Sequence, residues 1–267
     1  MPDPNAAGTQ TVPLSACVIT YQEEDRIADC LRSLSFCDDV LVVDSGSTDR
    51  TREIAEELGA RVMVNAPFPG HLEQKQFAVD HARHDWILSL DADERVTPAL
   101  RDRILQIQAD GFPAPAYAVM RNNFYLGKFI RHGLFCPDLK LRLFDRRRAR
   151  WGGLNPHDRV ELQNGAKAVS LDEALEHHTY RTLKDHLRQI ESFTRLDAIA
   201  KHKQGRRSTI LHLLVRPPAM VIKGLILKAG FLEGWRGFVI SGMAGYYSWL
   251  KFWRLRQLNR RPPEQEQ

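Results

Sequence analysis

The residues with the clearest capacity for chemistry are two aspartates one position apart, Asp91 and Asp93. They follow the apolar run WILSL (86–90), which predicts a buried strand. Because alternate side chains of an extended chain point the same way, both carboxylates should lie on one side. Close carboxylates repel, and a hard divalent cation relieves that repulsion. The pair therefore predicts a metal–diphosphate site; the alternative is an acidic helix start.

Alternating strand and helix patterns predict the sheet that would hold these aspartates. Strands are expected at Leu14–Thr20, Asp39–Asp44, Arg61–Val64 and 86–90, with helices between them at 24–34, 50–58 and 72–82. This repetition is typical of a parallel, doubly wound sheet. The later patterns predict a helix at 100–108, an extended segment at Ala116–Tyr125, a strand at 139–144, and helices from 183 that restart at Pro217-Pro218.

Polar loops follow two other strands of the predicted sheet. The segment TYQEE begins at Thr20, and DSGSTD begins at Asp44. The carboxyl ends of parallel strands meet at one edge of a sheet, so both loops should form one crevice with Asp91 and Asp93. The chain has neither a GxGxxG motif nor a P-loop motif, so dinucleotide and P-loop chemistry are not supported.

The segments TYQEE, VVDSGSTD and LSLDADE, in this order and spacing, resemble the family 2 glycosyltransferases. The resemblance is strong over residues 14–94. It implies the GT-A fold, an α/β fold whose doubly wound mixed sheet binds a nucleotide-diphospho-sugar, followed here by a C-terminal helical region. The later segments KLRLFDRRRARW and NPHDRV resemble the bacterial branch that adds a sugar to the lipopolysaccharide inner core.

The resemblance also implies roles for the residues at the strand ends. Asp93 is the expected direct ligand of Mg²⁺ or Mn²⁺, and Asp91 is expected to be a second ligand or a ribose contact. Asp44 is expected to hold the uracil or the ribose. The residues expected to bind the nucleotide-sugar are Thr20, Glu23, Asp44, Lys75 and Asp91. For Lys75, the alternative is an ordinary lysine on a helix surface.

Family 2 enzymes invert the anomeric centre, which implies that one carboxylate deprotonates the acceptor hydroxyl. A general base of this kind contributes ~10²–10⁴-fold to the rate. Asp158, in a predicted polar Asn-Pro-His-Asp turn, is the candidate base and joins Asp93 as a catalytic residue. The bacterial branch that this chain resembles usually has a His-Glu pair at the position of His157-Asp158. The substitution keeps a carboxylate but shortens the side chain that carries it. The alternative for Asp158 is a carboxylate that stabilises an Asx turn.

The C-terminal third differs in composition from the rest of the chain. From Arg181 onward it has 17 Lys and Arg against 6 Asp and Glu, and it is rich in aromatic residues. One predicted helix there has an apolar face made of Val239, Met243, Tyr246, Leu250 and Trp253. Basic, aromatic helices bind anionic membrane surfaces; the alternative is packing on the catalytic domain or a dimer partner. The longest uncharged run, 237–250, is shorter than the ~20 residues that span a bilayer, so no spanning segment is expected.

These features predict a flexible tail at 1–12, a catalytic domain at 13–182 and a basic, aromatic helical region at 183–267. The predicted activity is the metal-dependent transfer of a sugar from a UDP-sugar to a glycolipid of the lipopolysaccharide inner core. The predicted sugar is glucose. The four cysteines have neither disulfide nor zinc spacing, and no secretory leader is recognised. The predicted location is therefore the cytoplasm, peripheral on the inner face of the membrane.

Two other functions remain open from the sequence. The first alternative keeps the fold and the glycosyltransferase activity but changes the acceptor, which is then a polyprenyl phosphate, or a capsule or exopolysaccharide intermediate. A non-enzymatic alternative is nucleic-acid binding by the basic C-terminal region. That alternative leaves Asp44, Asp91 and Asp93 unexplained, so no nucleic-acid partner is expected. The oligomeric state and the choice between Mg²⁺ and Mn²⁺ stay open.

Overall fold

The computed structural model describes residues 11–154 and 157–260, without the side chains of Leu154 and His157. Most of the predicted tail at 1–12 lies outside the described residues. The chain forms two compact units, each assembled from several segments. The first comprises Met1–Arg121, Leu139–Gly152 and Arg159–Glu176, and the second comprises Asn122–Asp138, Gly153–Asp158 and His177–Gln267. The predicted domain boundary between 182 and 183 stays a prediction.

Short strands and longer helices make up the described chain. The strands are β1 (Leu14–Thr20), β2 (Asp39–Asp44), β3 (Arg61–Val64), β4 (Trp86–Asp91), β5 (Glu94–Val96), β6 (Ala116–Tyr125), β7 (Lys128–Phe129), β8 (Leu139–Asp145), β9 (Ala149–Leu154), β10 (His157–Leu162) and β11 (Val169–Tyr180). The helices are α1 (Ile27–Ser33), α2 (Thr51–Glu57), α3 (His71–Asp80), α4 (Pro98–Ala109), α5 (Leu183–Lys203), α6 (Ile210–Ile222) and α7 (Trp235–Arg260). A π-helical segment, Lys223–Leu227, continues α6, and a 3₁₀ turn, Gly230–Glu233, precedes α7.

Nine strands form a central mixed sheet in the order β3-β2-β1-β4-β8-β6-β11-β5, with β7 paired to β6. β1 runs parallel to β2 and β4, and β2 runs parallel to β3. β8 runs antiparallel to both β4 and β6. The first four strands are therefore the predicted parallel, doubly wound half, and the antiparallel strands make the whole sheet mixed. Strands β9 and β10 pair separately.

Both faces of β1, β2 and β4 are buried, which explains their continuous apolar sequence. Successive side chains of a strand point to opposite faces. On one face Val18 of β1 lies in a cluster with Leu31 of α1, and on the other Cys17 lies in a cluster with Ala78 of α3. Helices thus cover the two faces of the sheet, and polar loops are found at the ends of the strands.

Most of the predicted elements agree with the structure. The bounds predicted for β1, β2, β3 and β6 match residue for residue, and α1, α2 and α3 are each somewhat shorter than predicted. The helix restart predicted at Pro217-Pro218 is wrong, because both prolines lie inside α6. The helix begins earlier, after Thr209, whose backbone N–H donates to Nδ1 of His212 at 3.1 Å.

One helical segment of the described chain, Ile210–Leu227, is long and apolar enough by length and composition to cross a membrane. Only 6% of this segment is buried inside the protein. The expectation that no segment could span a bilayer was therefore wrong here. A search for uncharged runs misses this segment because Arg216 and Lys223 interrupt it. A single such helix is weak evidence for a membrane span.

The apolar face predicted on α7 is not uniformly exposed. Leu250 is buried, and Val239 and Met243 are half-buried, whereas Tyr246 and Trp253 are exposed. The helix contacts both α5 and α6, which occupies much of its surface. The exposed apolar side chains of this unit therefore have to be located from the structure rather than from the periodicity of α7.

Candidate active site

The carboxyl ends of three parallel strands align at one edge of the first unit. The register pairs Thr20 of β1 with Asp44 of β2, and Ile19 of β1 with Asp91 of β4. The polar loops after β1 and β2 and the 91–93 segment therefore start from neighbouring positions. The predicted convergence of the three strand ends is confirmed.

Hydrogen bonds join the loop after β1 to the loop after β2. Gln22, at a left-handed φ of 57°, donates its backbone N–H to Ser47 Oγ at 2.9 Å and its side-chain amide to Thr48 Oγ1 at 2.8 Å. The backbone N–H of Glu23 donates to Thr51 Oγ1 at 2.8 Å. Because each loop restrains the other, they form one ordered rim beside the strand ends.

The Asp44 carboxylate organises the turn that follows β2. It is fully buried; Oδ1 accepts the backbone N–H groups of Gly46 at 2.9 Å and Ser47 at 2.7 Å, and Oδ2 accepts the Ser47 hydroxyl. Gly46 has a φ of 92°, a conformation that favours glycine. Asp44 therefore shapes the loop in which it was predicted to contact uracil or ribose, and that contact stays a prediction.

Thr20 places a buried hydroxyl at the end of β1. Its Oγ1 atom is shielded from solvent and has no hydrogen-bond partner among the described residues. A buried polar group without a partner costs on the order of 1–3 kcal/mol. A ligand atom that hydrogen-bonds to Thr20 would recover that free energy, so this hydroxyl fits a place in a binding site.

Asp91 lies between two cationic side chains. Lys75 Nζ is 3.2 Å from Asp91 Oδ1, and Arg142 Nη2 donates to Asp91 Oδ2 at 3.0 Å. Lys75 is only 7% exposed, and its Nζ lies 4.7 Å from the centre of the Trp151 ring, within cation–π range. Lys75 is therefore a buried lysine beside the strand ends, not an ordinary lysine of a helix surface.

Glu94 supplies negative charge to the same cluster. It is fully buried; Oε1 accepts from Arg142 at 2.6 Å and from Arg121 at 3.1 Å, and Oε2 accepts the backbone N–H of Asp91 at 3.0 Å. Roles for Glu94, Arg121 and Arg142 in this cluster were not predicted from the sequence. Arg142 reaches Glu94 because strand β8 lies beside β4 in the sheet, and the sequence around β8 does not indicate which strand it pairs with.

Asp93 is linked to the loop after β1 through Arg26. Arg26 Nη1 lies 3.8 Å from Asp93 Oδ2, and Arg26 Nε lies 2.6 Å from Glu23 Oε2. Glu23 therefore positions a cation that neighbours Asp93, and its predicted contact with the nucleotide-sugar stays a prediction. Arg26 was not predicted, although it lies only two residues beyond the TYQEE segment.

The carboxylate oxygens at this edge are suitable ligands for a divalent cation that also binds the diphosphate of a substrate. Asp91 and Asp93 offer carboxylate oxygens, the hard ligands that Mg²⁺ prefers. In the described ranges, 11–154 and 157–260, no group of three or more His, Cys, Asp or Glu is placed to hold a metal. Mg²⁺ commonly takes one or two carboxylates and fills its other positions with phosphate oxygens and water. Because Lys75 and Arg142 already share Asp91, Asp93 is the better candidate for direct ligation.

Asp158 lies on strand β10, in the second unit, rather than in the turn predicted for it. Its side chain is half-buried. Asn155 and Pro156 of that predicted turn, and the side chain of His157, lie outside the described residues. The role of Asp158 as a general base stays a prediction.

A comparison with known protein families decides the class of this site. The family model for glycosyl transferase family 2 matches residues 15–173, more than half of the chain, including Thr20, Asp44, Asp91 and Asp93. The chain belongs to glycosyl transferase family 2. It is therefore a transferase, and its mixed α/β sheet with C-terminal helices is the GT-A fold.

Three known proteins illustrate what this transferase is similar to. It is 25% identical over 259 residues to the lipopolysaccharide core biosynthesis glycosyltransferase LpsC of Rhizobium meliloti, covering 94% of this chain and 96% of that one. The crystal structure of S. aureus TarS 1–349 matches 92% of this chain and 90% of its own, with 15% identity and a TM-score of 0.48. Glucosyl-3-phosphoglycerate synthase of Mycobacterium tuberculosis, crystallised with Mn²⁺, UDP and glucosyl-3-phosphoglycerate, matches 42% of this chain and 44% of its own, with 23% identity and a TM-score of 0.36.

Proposed function

We propose that this transferase moves glucose from UDP-glucose to a glycolipid of the lipopolysaccharide inner core, with inversion at the anomeric carbon. The observation that carries the proposal is the alignment of Thr20, Asp44 and Asp91 at the carboxyl ends of three parallel strands in a family 2 enzyme. Ligands of open α/β sheets bind at such an edge. The similarity to LpsC along nearly the whole chain supports a core glycolipid as the acceptor.

The strand-end groups are suited to a UDP-sugar. The loop that Asp44 shapes would receive the uracil or the ribose, and the Thr20 hydroxyl would hydrogen-bond to the donor. The ammonium of Lys75 would lie near the diphosphate. A Mg²⁺ or Mn²⁺ ion held by Asp93 would stabilise the charge that develops on the leaving diphosphate, a contribution of roughly several kcal/mol.

The proposed transfer is a single displacement in which atoms and charge balance. Asp158 would take the proton of the acceptor hydroxyl, and the oxygen would bond to the anomeric carbon as the bond from that carbon to UDP breaks. The electron pair of the broken bond leaves with UDP, and Asp158 then returns its proton to solvent. The products are the glycoside, UDP and one proton.

A glycolipid acceptor places the proposed enzyme at the inner face of the cytoplasmic membrane. The excess of Lys and Arg from Arg181 onward supports this location, since each such residue near an anionic surface is worth ~1 kcal/mol. The alternative acceptors, a polyprenyl phosphate or an exopolysaccharide intermediate, would use the same donor site and the same metal.

The acceptor is tested with radiolabelled UDP-glucose and purified lipids in one detergent system. We expect label in a lipid A–core acceptor that ends before its next glucose, and none in polyprenyl phosphate. Label in polyprenyl phosphate alone would overturn the proposed acceptor while leaving a UDP-sugar transferase. Parallel reactions with UDP-galactose and UDP-N-acetylglucosamine test the sugar, and preference for either would overturn glucose.

A further inference from the structure

Helix α6 presents an unbroken apolar stripe to solvent. No residue of this helix is buried. Five of its exposed apolar residues recur at spacings of three and four, which places them along one face: Leu211, Leu214, Val215, Pro218 and Ile222. Leu211 and Leu214 are each 67% exposed. Leucines this exposed in succession are unusual for a helix that faces water.

The opposite face of α6 is occupied by other helices of the second unit. Leu213 lies against a cluster that includes Phe252 of α7. Val221 Cγ2 and the carbonyl oxygen of Pro217 would lie 2.8 and 3.3 Å from a Cβ atom at Gly245 of α7. The lack of a side chain at Gly245 thus allows the two helices to approach closely. One face of α6 is therefore already used, and the stripe faces away from α7.

The apolar stripe continues through the segment that joins α6 to α7. Leu227 is 76% exposed, and four large apolar residues after it are each more than half exposed: Phe231, Leu232, Trp235 and Phe238. Together with the stripe they form what we call the apolar surface, composed of Leu211, Leu214, Val215, Pro218, Ile222, Leu227, Phe231, Leu232, Trp235 and Phe238. Contiguous exposed apolar residues in this number mark an interaction site rather than scattered surface residues.

Positive charge accompanies the apolar surface. Between residues 210 and 238 the only acidic residue is Glu233, which is 4% exposed and lies 2.7 Å from Lys128 Nζ. The exposed cations of the same segment are Arg216, Lys223 and Lys228. Lys223 and Lys228 lie at the end of α6 and just after it, within the apolar surface, whereas the Arg216 guanidinium carbon lies 5.3 Å from the centre of the Phe252 ring of α7. The surface is thus apolar with a basic border.

We propose that the apolar surface inserts into the headgroup boundary of a bilayer containing anionic phospholipid, with α6 lying in the plane of the membrane. Helices that combine an apolar face with flanking cations bind in this way, and exposed tryptophan such as Trp235 favours the same depth. The packing of one face of α6 on α7 favours an in-plane position over a span. The purpose of this binding rests on the proposed glycolipid acceptor, but the binding itself needs neither donor nor acceptor.

Flotation of the full chain with lipid vesicles tests this inference. The vesicles are phosphatidylcholine alone or phosphatidylcholine with ~30% phosphatidylglycerol, an anionic lipid. The variants Leu214→Glu and Ile222→Glu change the stripe, and Leu105→Glu, at an exposed leucine of α4, is the matched control. We expect binding to the anionic vesicles, reduced at least about tenfold by either stripe variant and unchanged in the control.

Charge variants test the basic border separately. Lys223→Gln and Lys228→Gln should each weaken binding to anionic vesicles by about fivefold, equal to about 1 kcal/mol, and leave binding to neutral vesicles unchanged. Thermal unfolding of every variant establishes that the fold is retained. UDP release in buffer without vesicles should match that of the wild type in all of them, because none of these residues belongs to the strand-end site.

The outcomes separate the two proposals. A wild-type chain that does not float with anionic vesicles would overturn the membrane inference, as would equal flotation of Leu214→Glu and the control. A dimer that Leu214→Glu dissociates, without vesicle binding, would overturn it in favour of a second copy as the occupant. Vesicle binding without turnover of any UDP-sugar would instead overturn the proposed function and leave the membrane surface standing.

Discussion

The ammonium nitrogen of Lys75 lies 3.2 Å from a carboxylate oxygen of Asp91, which ties helix α3 to the end of strand β4. A lysine ammonium is strongly hydrated, so burying it requires a close partner. Asp91 supplies the charge, and the Trp151 ring supplies a cation–π contact. The result is a fixed cation at the edge where we propose that the donor diphosphate binds.

Replacing Lys75 with glutamine should weaken the binding of UDP-glucose. A hydrogen bond to a charged group contributes about 1.5–3 kcal/mol, so the dissociation constant should rise roughly 10- to 150-fold. Calorimetric titration in the presence of Mg²⁺ measures this, with Lys167→Gln, at an exposed lysine of the same unit, as the control. Equal affinities for the two variants would show that Lys75 has only a structural role.

Replacing Glu94 with glutamine should strongly destabilise the first unit. Glu94 is fully buried and accepts from both Arg121 and Arg142, so the change removes a buried negative charge that balances two guanidinium groups. It leaves Asp91 as the carboxylate that pairs with Arg142. Breaking a buried ion pair from one side costs about 3–5 kcal/mol. Urea unfolding measures the loss, and Glu53→Gln, in an exposed pair with Arg50, should cost far less because solvent screens that pair. Similar losses in both variants would contradict this account of the cluster.

The parallel half of the sheet could be predicted because its signals are local. β1, β2 and β3 are short apolar runs with helix patterns between them, and their bounds follow from the sequence. The antiparallel half could not be predicted in the same way. The pairing of Leu88 with Leu143 joins strands far apart in the chain, and nothing near either residue specifies the partner.

The same distinction applies to the candidate site. Asp44 and Asp91 were found because each directly follows an apolar run, and Asp93 because it lies two positions after Asp91. Arg142 was missed because the alternation of β8 predicts an exposed polar side chain, whereas it is 3% exposed and bonded to Glu94. A buried cation of this kind is recognisable only when the carboxylate that balances it is known to be a neighbour in space.

Acidification should destabilise the protein through Glu233. Burial acts to raise the pKa of Glu233, but hydrogen bonds from Lys128, the backbone of Arg131 and His132 outweigh burial and lower the pKa from 4.5 to about 2. Because the folded-state pKa lies below the unfolded value, the stabilisation is complete above pH 4.5 and is lost as the pH falls toward 2. The full difference corresponds to at most about 3 kcal/mol.

The pH dependence is measured as the free energy of unfolding of the wild type and of Glu233→Gln, from pH ~6 down to pH ~3. The glutamine variant should start less stable and lose less stability on acidification, so the two curves should approach each other as the pH falls. Parallel curves over this range would contradict the lowered pKa of Glu233.

Replacing Asp158 with asparagine should lower kcat for transfer by ~10²–10⁴-fold and leave the affinity for UDP-glucose unchanged. The reason is that asparagine cannot accept the proton of the acceptor hydroxyl. Asp158→Glu is the matched variant, since it keeps a carboxylate, and it should retain more activity than Asp158→Asn. Wild-type kcat in the asparagine variant would exclude Asp158 as the base.

The proposed function requires the strand-end carboxylates to form a metal-dependent UDP-sugar site. Release of UDP from a panel of UDP-sugars, with and without Mg²⁺ or Mn²⁺, tests it most directly. We expect one donor to be turned over only with metal, Asp93→Ala to abolish that turnover, and Asp102→Ala, at an exposed aspartate of α4, to leave it intact. Failure of every UDP-sugar to bind or react with metal present, or full activity of Asp93→Ala, would contradict the account.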